Sequence, residues 1–140
     1  MTAANRRRFR PDDRFGTPEV ILEFLFDRGM LSVSVRNIGT RAAKKVAVSF
    51  DQSFTGLGGS KEISSLPLFK NVEFLGPARE IVTLLDTSAS YFSRKQPTKI
   101  AARVRYLDFE DRKYDTTIDH DLEIFRELSW LATAAAHEVE

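Results

Sequence analysis

The chain holds two histidines, His120 and His137, and no cysteine. His120 lies between Asp119 and Asp121. An imidazole beside two carboxylates can have its pKa raised, or can join a weak metal site. No metal-ligand spacing surrounds it, so it reads as a surface histidine where the last strand turns into a helix. His137 falls near the end of an apolar helical stretch, where a cation suits the helix dipole. The lack of cysteine excludes disulfides, thiolate catalysis and cysteine-ligated zinc. No G-x-S-x-G or H-E-x-x-H motif occurs, and Gly56, Gly58 and Gly59 are not followed by the Lys-Ser/Thr of a phosphate loop. The expectation is a non-enzymatic chain without a cofactor.

Carboxylates crowd one region: Asp108, Glu110, Asp111, Asp115, Asp119, Asp121 and Glu123. Calcium prefers oxygen ligands, so Asp108, Glu110, Asp111 and Asp115 form a candidate divalent-metal set. Arg112 and Lys113 interrupt it, and no EF-hand spacing is present. The competing reading is a solvated hairpin whose charges blunt a strand edge.

Three segments could contact a partner. The first carries Arg6, Arg7, Arg8, Arg10 and Arg14, a flexible basic arm able to meet phosphates or an acidic protein. With a net charge of +1 and no basic stripe elsewhere, nucleic acid is the lesser expectation. The second is the long polar loop Asp51–Ser65, where Phe54 and Leu57 either anchor a partner or fold back over the core. The third is the C-terminal stretch. Ile124, Leu128, Leu131, Ala135 and Val139 recur at helical spacing, and Phe125 and Ala132 widen that face. Leu128, Leu131 and Ala135 are the contact candidates there, against another protein or a second copy. Packing of this face on the chain's own sheets is the simpler outcome.

The elements that must position these residues are mostly strands. Val20, Leu22, Phe24 and Phe26 alternate; so do Leu31, Val33, Val35 and Asn37, then Val46, Val48 and Phe50. Leu66–Leu75 reads as an irregular extended piece, Glu80–Leu85 as a short strand, and Thr87–Ser93 as a helical turn or loop. Lys99–Phe109 and a return strand through Tyr114, Thr116 and Ile118 enclose a hairpin at Glu110-Asp111-Arg112. About seven strands with tight turns predict an antiparallel β-sandwich of the immunoglobulin-like type, closed by a C-terminal α-helix capped by Asp121. The expected division is a basic arm over 1–17, a sandwich over 18–120 and an attached helix over 121–140. A chain of 140 residues with 42% hydrophobic content can bury such a core unaided.

Val35-Arg36-Asn37-Ile38-Gly39, followed by Ala43 and Val46, resembles the V-x-N-x-G…A-x-x-V signature of bacterial immunoglobulin-like modules, in particular the cell-adhesion-related domain found in bacteria. Leu75-Gly76-Pro77-Ala78 is similar to that family's L-x-P-G turn, with Ala78 in place of the glycine. The Tyr106–Tyr114 hairpin, with Asp108 inside it, is similar to one in other bacterial sandwich domains. The resemblance covers residues 18–122 and implies a β-sandwich with a binding or spacer role, without a chemistry. Read physically, Asn37 bonds neighbouring backbone, Gly39 supplies positive φ for a tight turn, and Ala43 allows close strand packing.

No apolar run reaches the roughly 18 residues of a membrane span. The arginines near the N-terminus precede no apolar core of a secretory signal. A cytoplasmic protein, or a soluble domain of a larger or membrane-anchored one, is expected.

Overall fold

Alternation in the sequence becomes pairing in space. The computed structural model describes residues 16–128. β1 (Val20–Asp27) and β2 (Met30–Asn37) form a hairpin, with β7 (Glu80–Thr87) on the other side of β2. The second sheet has the order β6-β3-β8-β9, from β6 (Val72–Leu75), β3 (Ala43–Phe50), β8 (Lys99–Leu107) and β9 (Lys113–Asp121). Every pairing is antiparallel.

The two sheets face each other because each strand presents every second side chain inward. Leu22, Val33 and Val35 of the first sheet share one core with Val46, Ile100, Ala102 and Val104 of the second. A run of edge-on aromatic contacts crosses this core. Phe24 meets Phe54 at 5.8 Å, Phe54 meets Phe50 at 5.0 Å, and Phe50 meets Phe69 at 5.1 Å between ring centroids. Such pairs add stabilisation beyond the apolar area they bury.

The loop expected over 51–65 is more ordered than its polar sequence suggests. It folds into a two-residue ladder, β4 (Thr55–Gly56) with β5 (Lys61–Glu62), around a 3₁₀ turn at Leu57–Gly59. Its apolar residues Phe54 and Ile63 are 0% and 2% exposed. Gly56 is a glycine for lack of room: a Cβ there would lie 1.9 Å from the Leu85 carbonyl oxygen. The piece expected to be extended over 66–75 splits into α1 (Pro67–Lys70), opened by proline at its first position, and β6. The polar turn after β7 is α2 (Ser88–Ser93), capped by Thr87, whose hydroxyl accepts from Ser90 N at 3.1 Å. It buries Tyr91 and Phe92, as their apolar mass requires.

Gly39 corrects one expectation. Its φ is not positive; the glycine is needed because backbone passes close by. A Cβ would stand 2.3 Å from Thr17 O and 2.5 Å from Glu19 N. Ala78, which stands in the place of the resembled family's glycine, does adopt a left-handed conformation, with φ of 65°.

The C-terminal stretch also departs from expectation. Asp121 Oδ1 accepts from Glu123 N at 3.0 Å, as a cap would, and residues 124–128 are helical. The packed side chains, however, are Leu122, 1% exposed, and Phe125, whose ring stacks on Phe26 at 5.8 Å. Ile124 and Leu128 are 65% and 45% exposed. The face drawn from the apolar spacing therefore does not rest on the sheets at its first two positions. β9 runs straight into the helical turn, and that entry angle sets Phe125 inward instead.

Candidate interaction surface

Two large aromatic side chains stay outside the core and touch each other. Phe74, on the edge strand β6, and Phe109, in the β8–β9 hairpin, are 61% and 52% exposed and meet edge-on at 6.0 Å. Each has a local cause. Phe74 lies opposite Lys44 in the β3–β6 register. The register of β3 against β8 shifts between Lys44 and Ala47, with Lys45 at a φ of 53°. This bulge keeps Ala43 and Val46 buried while Lys44 and Phe74 share the outer face.

Phe109 is held outward by Asp108. That carboxylate is 2% exposed and is consumed by its own hairpin. One oxygen accepts from Glu110 N at 2.9 Å and Arg112 N at 3.0 Å; the other accepts from Arg112 Nε at 2.7 Å and the Tyr114 hydroxyl at 2.9 Å. Burial pushes Asp108 up, but these donors outweigh it and hold the carboxyl below its ordinary range. Burial, with the adjacent Asp108 charge, pushes Tyr114 up to about 12. Removing that hydroxyl with Tyr114→Phe deletes one bond to a buried anion. It is expected to cost about 1.5 kcal/mol in urea unfolding. A cost near zero would mean that the arginine alone fixes the turn.

Cations border the aromatic pair. Lys44 Nζ sits 5.2 Å from the centroid of Phe109 and 2.8 Å from Asp111. Arg41 and Arg112 line a cleft of about 290 Å³ with Phe74 and Phe109. Arg79 borders a second cleft of about 590 Å³ between Phe74 and Ile81. Among the described residues Arg41 and Arg79 have no ion-pair partner.

A second polar cluster underlies the 51–65 loop. Asp86, 4% exposed, meets Arg94 Nη2 at 2.5 Å. Arg94 also donates to Thr55 Oγ1 at 2.6 Å and Thr55 O at 3.1 Å. This tie locks the loop to α2 and holds Gly58 N near Asp86 at 3.3 Å.

Phe54 is a core residue and offers no partner contact: its length and apolarity carry it inward through the polar loop. Leu57 is 46% exposed on the 3₁₀ turn, and Leu128 is exposed on the helix. Leu131 and Ala135 lie outside the described residues, as do Arg6, Arg7, Arg8, Arg10 and His137. The four candidate metal ligands are not brought together. Asp108 serves the hairpin, Glu110 lies 3.5 Å from Arg112, Asp111 pairs with Lys44, and Asp115 pairs with Arg103 at 2.6 Å. Among the described residues no group of three or more His, Asp or Glu side chains is placed to hold a metal.

His120 corrects a further expectation. Its pKa is lowered: burial outweighs the Leu22 carbonyl and the charges of Glu23 and Asp119. Its ring packs edge-on against Phe24 at 5.1 Å, and its buried Nε2 has no hydrogen-bond partner. The sequence shows the flanking acids; it does not show that the side chain turns toward Phe24.

Among the described residues no helix is long and apolar enough to cross a membrane. The described residues form a mainly β domain of two facing antiparallel sheets, with an exposed aromatic pair at one end bordered by Arg41, Lys44 and Arg112 and by the carboxylate of Glu110. The chain belongs to the family described as Domain of unknown function (DUF8453), which it matches over residues 2–126. No curated protein and no solved structure matches it.

Proposed function

We propose that this chain is a non-enzymatic interaction module of the immunoglobulin-like class, which holds a protein partner at the Phe74–Phe109 patch. The class is supported by strand order. Among the seven strands of the two large sheets, the first, second and fifth face the fourth, third, sixth and seventh. That is the Greek-key path such sandwiches use. The turn motifs around Asn37 and Gly76 support the same class by resemblance.

The observation that carries the binding role is the exposure of two touching phenylalanines on rigid strand and hairpin positions. Large apolar rings left in water are costly, and interfaces concentrate such aromatic anchors within a charged rim. Arg41 and Arg79 would favour a partner segment that carries carboxylates beside an apolar side chain.

Display of random peptides against the purified chain tests this reading. Acidic, aromatic-containing sequences should enrich. Their binding should fall at least tenfold in a Phe74→Ser/Phe109→Ser variant whose melting temperature is unchanged. Absence of enrichment, or binding that ignores both substitutions, would remove the patch as the contact surface.

A further inference from the structure

We infer that β9 is a self-pairing edge, through which two copies of this chain join their four-stranded sheets into one continuous sheet. β9 is nine residues long and is the last strand of its sheet; among the described residues no strand covers its outer side. Its hydrogen-bonding direction is fixed by its ends. Asp108 N donates to Arg112 O, Leu122 N donates to Thr98 O, and the β8–β9 register between them runs without a shift. Even-numbered residues of β9 therefore bond to β8, and Lys113, Asp115, Thr117 and Asp119 aim their N–H and C=O groups at the free edge.

An exposed edge of this length is a template for another strand, and charges are the usual device that prevents pairing. Here the charges between Lys113 and Asp119 sit so that one antiparallel register satisfies them. With Thr116 opposite its own copy, Lys113 stands opposite Asp119 of the second copy and Asp115 opposite Thr117. On the other face Tyr114 stands opposite Ile118. Twofold symmetry repeats each pair, so Asp119 also meets Lys113. Opposite charges and an aromatic beside a β-branched residue are the favourable cross-strand pairs. A shift of one pleat either way puts Asp115 opposite either Asp115 or Asp119, and like charges then face each other. The sequence of the strand therefore favours a single self-complementary register. Opposite Thr117, Asp115 keeps its bonds of 2.9 and 2.6 Å to Arg103 and needs no cation from the second copy; opposite another aspartate it would share that one cation with a second anion.

This edge is separate from the Phe74–Phe109 patch, so the two proposals fail independently. Sedimentation velocity of the full chain over a concentration series should show a reversible dimer. Lys113→Asp and Asp119→Lys should each be monomeric, because each sets like charges opposite one another twice. Mixing the two single variants should restore the dimer, since each then meets the opposite charge at both ends. Far-UV circular dichroism should show both variants folded, and recovery on mixing cannot arise from a folding defect. A wild-type chain that stays monomeric overturns the inference. So does a dimer that survives Lys113→Asp, or a mixture of the two variants that remains monomeric.

Discussion

Arg94→Met is expected to destabilise the fold by about 3 kcal/mol at neutral pH, as breaking a buried ion pair does. The methionine keeps most of the arginine's apolar stem, so the lost quantity is charge and hydrogen bonding. Asp86 is left 4% exposed with Thr87 N at 2.8 Å, Gly58 N at 3.3 Å and the Ser90 side chain as its remaining donors. Thr55 loses both bonds from the guanidinium. Thermal melting should fall by roughly 10 °C for a domain of this size. Asp86→Asn in the Arg94→Met background should recover part of the loss, because the uncompensated charge is then gone. A double variant no better than Arg94→Met alone would show that packing, and not the buried charge, sets the cost.

The same pair sets how stability depends on pH. In the folded chain burial pushes Asp86 up, but Arg94 and the backbone donors outweigh it and hold its carboxyl below the ordinary range. A depressed carboxyl contributes stability above its unfolded pKa and loses it as pH falls through the folded value. Asp108, lowered in the same way, acts in the same window. The wild type should therefore weaken as pH drops below about 4. In Arg94→Met burial is opposed by fewer donors, and the Asp86 carboxyl titrates higher. The gap between variant and wild type should be widest near pH 7 and narrow toward pH 3. A gap that does not change with pH would mean that Asp86 is not the group responsible.

How far the sequence foretells this molecule depends on how far one face of each element is buried. β1, β2 and β8 were legible because their alternation is long and unbroken. Leu22, Val33 and Ile100 fall in the core where the period puts them. The 51–65 loop was not, because β4 and β5 are two residues each and carry no period. Phe54 and Ile63 are inside for their size alone. β6 is only Val72-Glu73-Phe74-Leu75, with apolar residues of both parities, so nothing in its pattern turns Phe74 outward. The direction comes from the bulge in β3, a feature of register. The alternation through Lys99–Phe109 places Phe109 at the end of a strand. β8 stops at Leu107 because the Asp108 carboxylate draws in Glu110 N and Arg112 N and closes the hairpin early. The acid cluster was visible, but its partners Lys44 and Arg103 come from neighbouring strands. The sequence therefore suggested a metal set where the fold makes separate ion pairs.

Asn37 is the opposite case, a polar residue legible in the sequence whose full reason lies in the fold. It sits on the core face of β2 and is 0% exposed. All four of its hydrogen-bonding positions are used. Oδ1 accepts from Glu19 N at 3.1 Å and Gly39 N at 2.9 Å; Nδ2 donates to Arg41 O at 2.8 Å and Leu75 O at 3.1 Å. One side chain thus joins the start of β1, the β2–β3 turn and the end of β6, which lie in different sheets. Asn37→Ala strands two donors and two acceptors at once. With part of that deficit met by entering water, the expected cost is about 4 kcal/mol in chemical unfolding. Asn37→Asp separates the two halves of the role, since it has the same shape and keeps the acceptor. It replaces the donor with an anion facing two carbonyl oxygens, so the introduced carboxyl should have a raised pKa. A raised acid disfavours folding above its unfolded pKa, and protonation restores one donor. Relative to wild type, Asn37→Asp should be as damaging as Asn37→Ala at pH 7 and milder near pH 4. If the aspartate variant matches wild type at neutral pH, the Nδ2 bonds to Arg41 and Leu75 do not hold the sheets together, and the acceptor half of the side chain is sufficient.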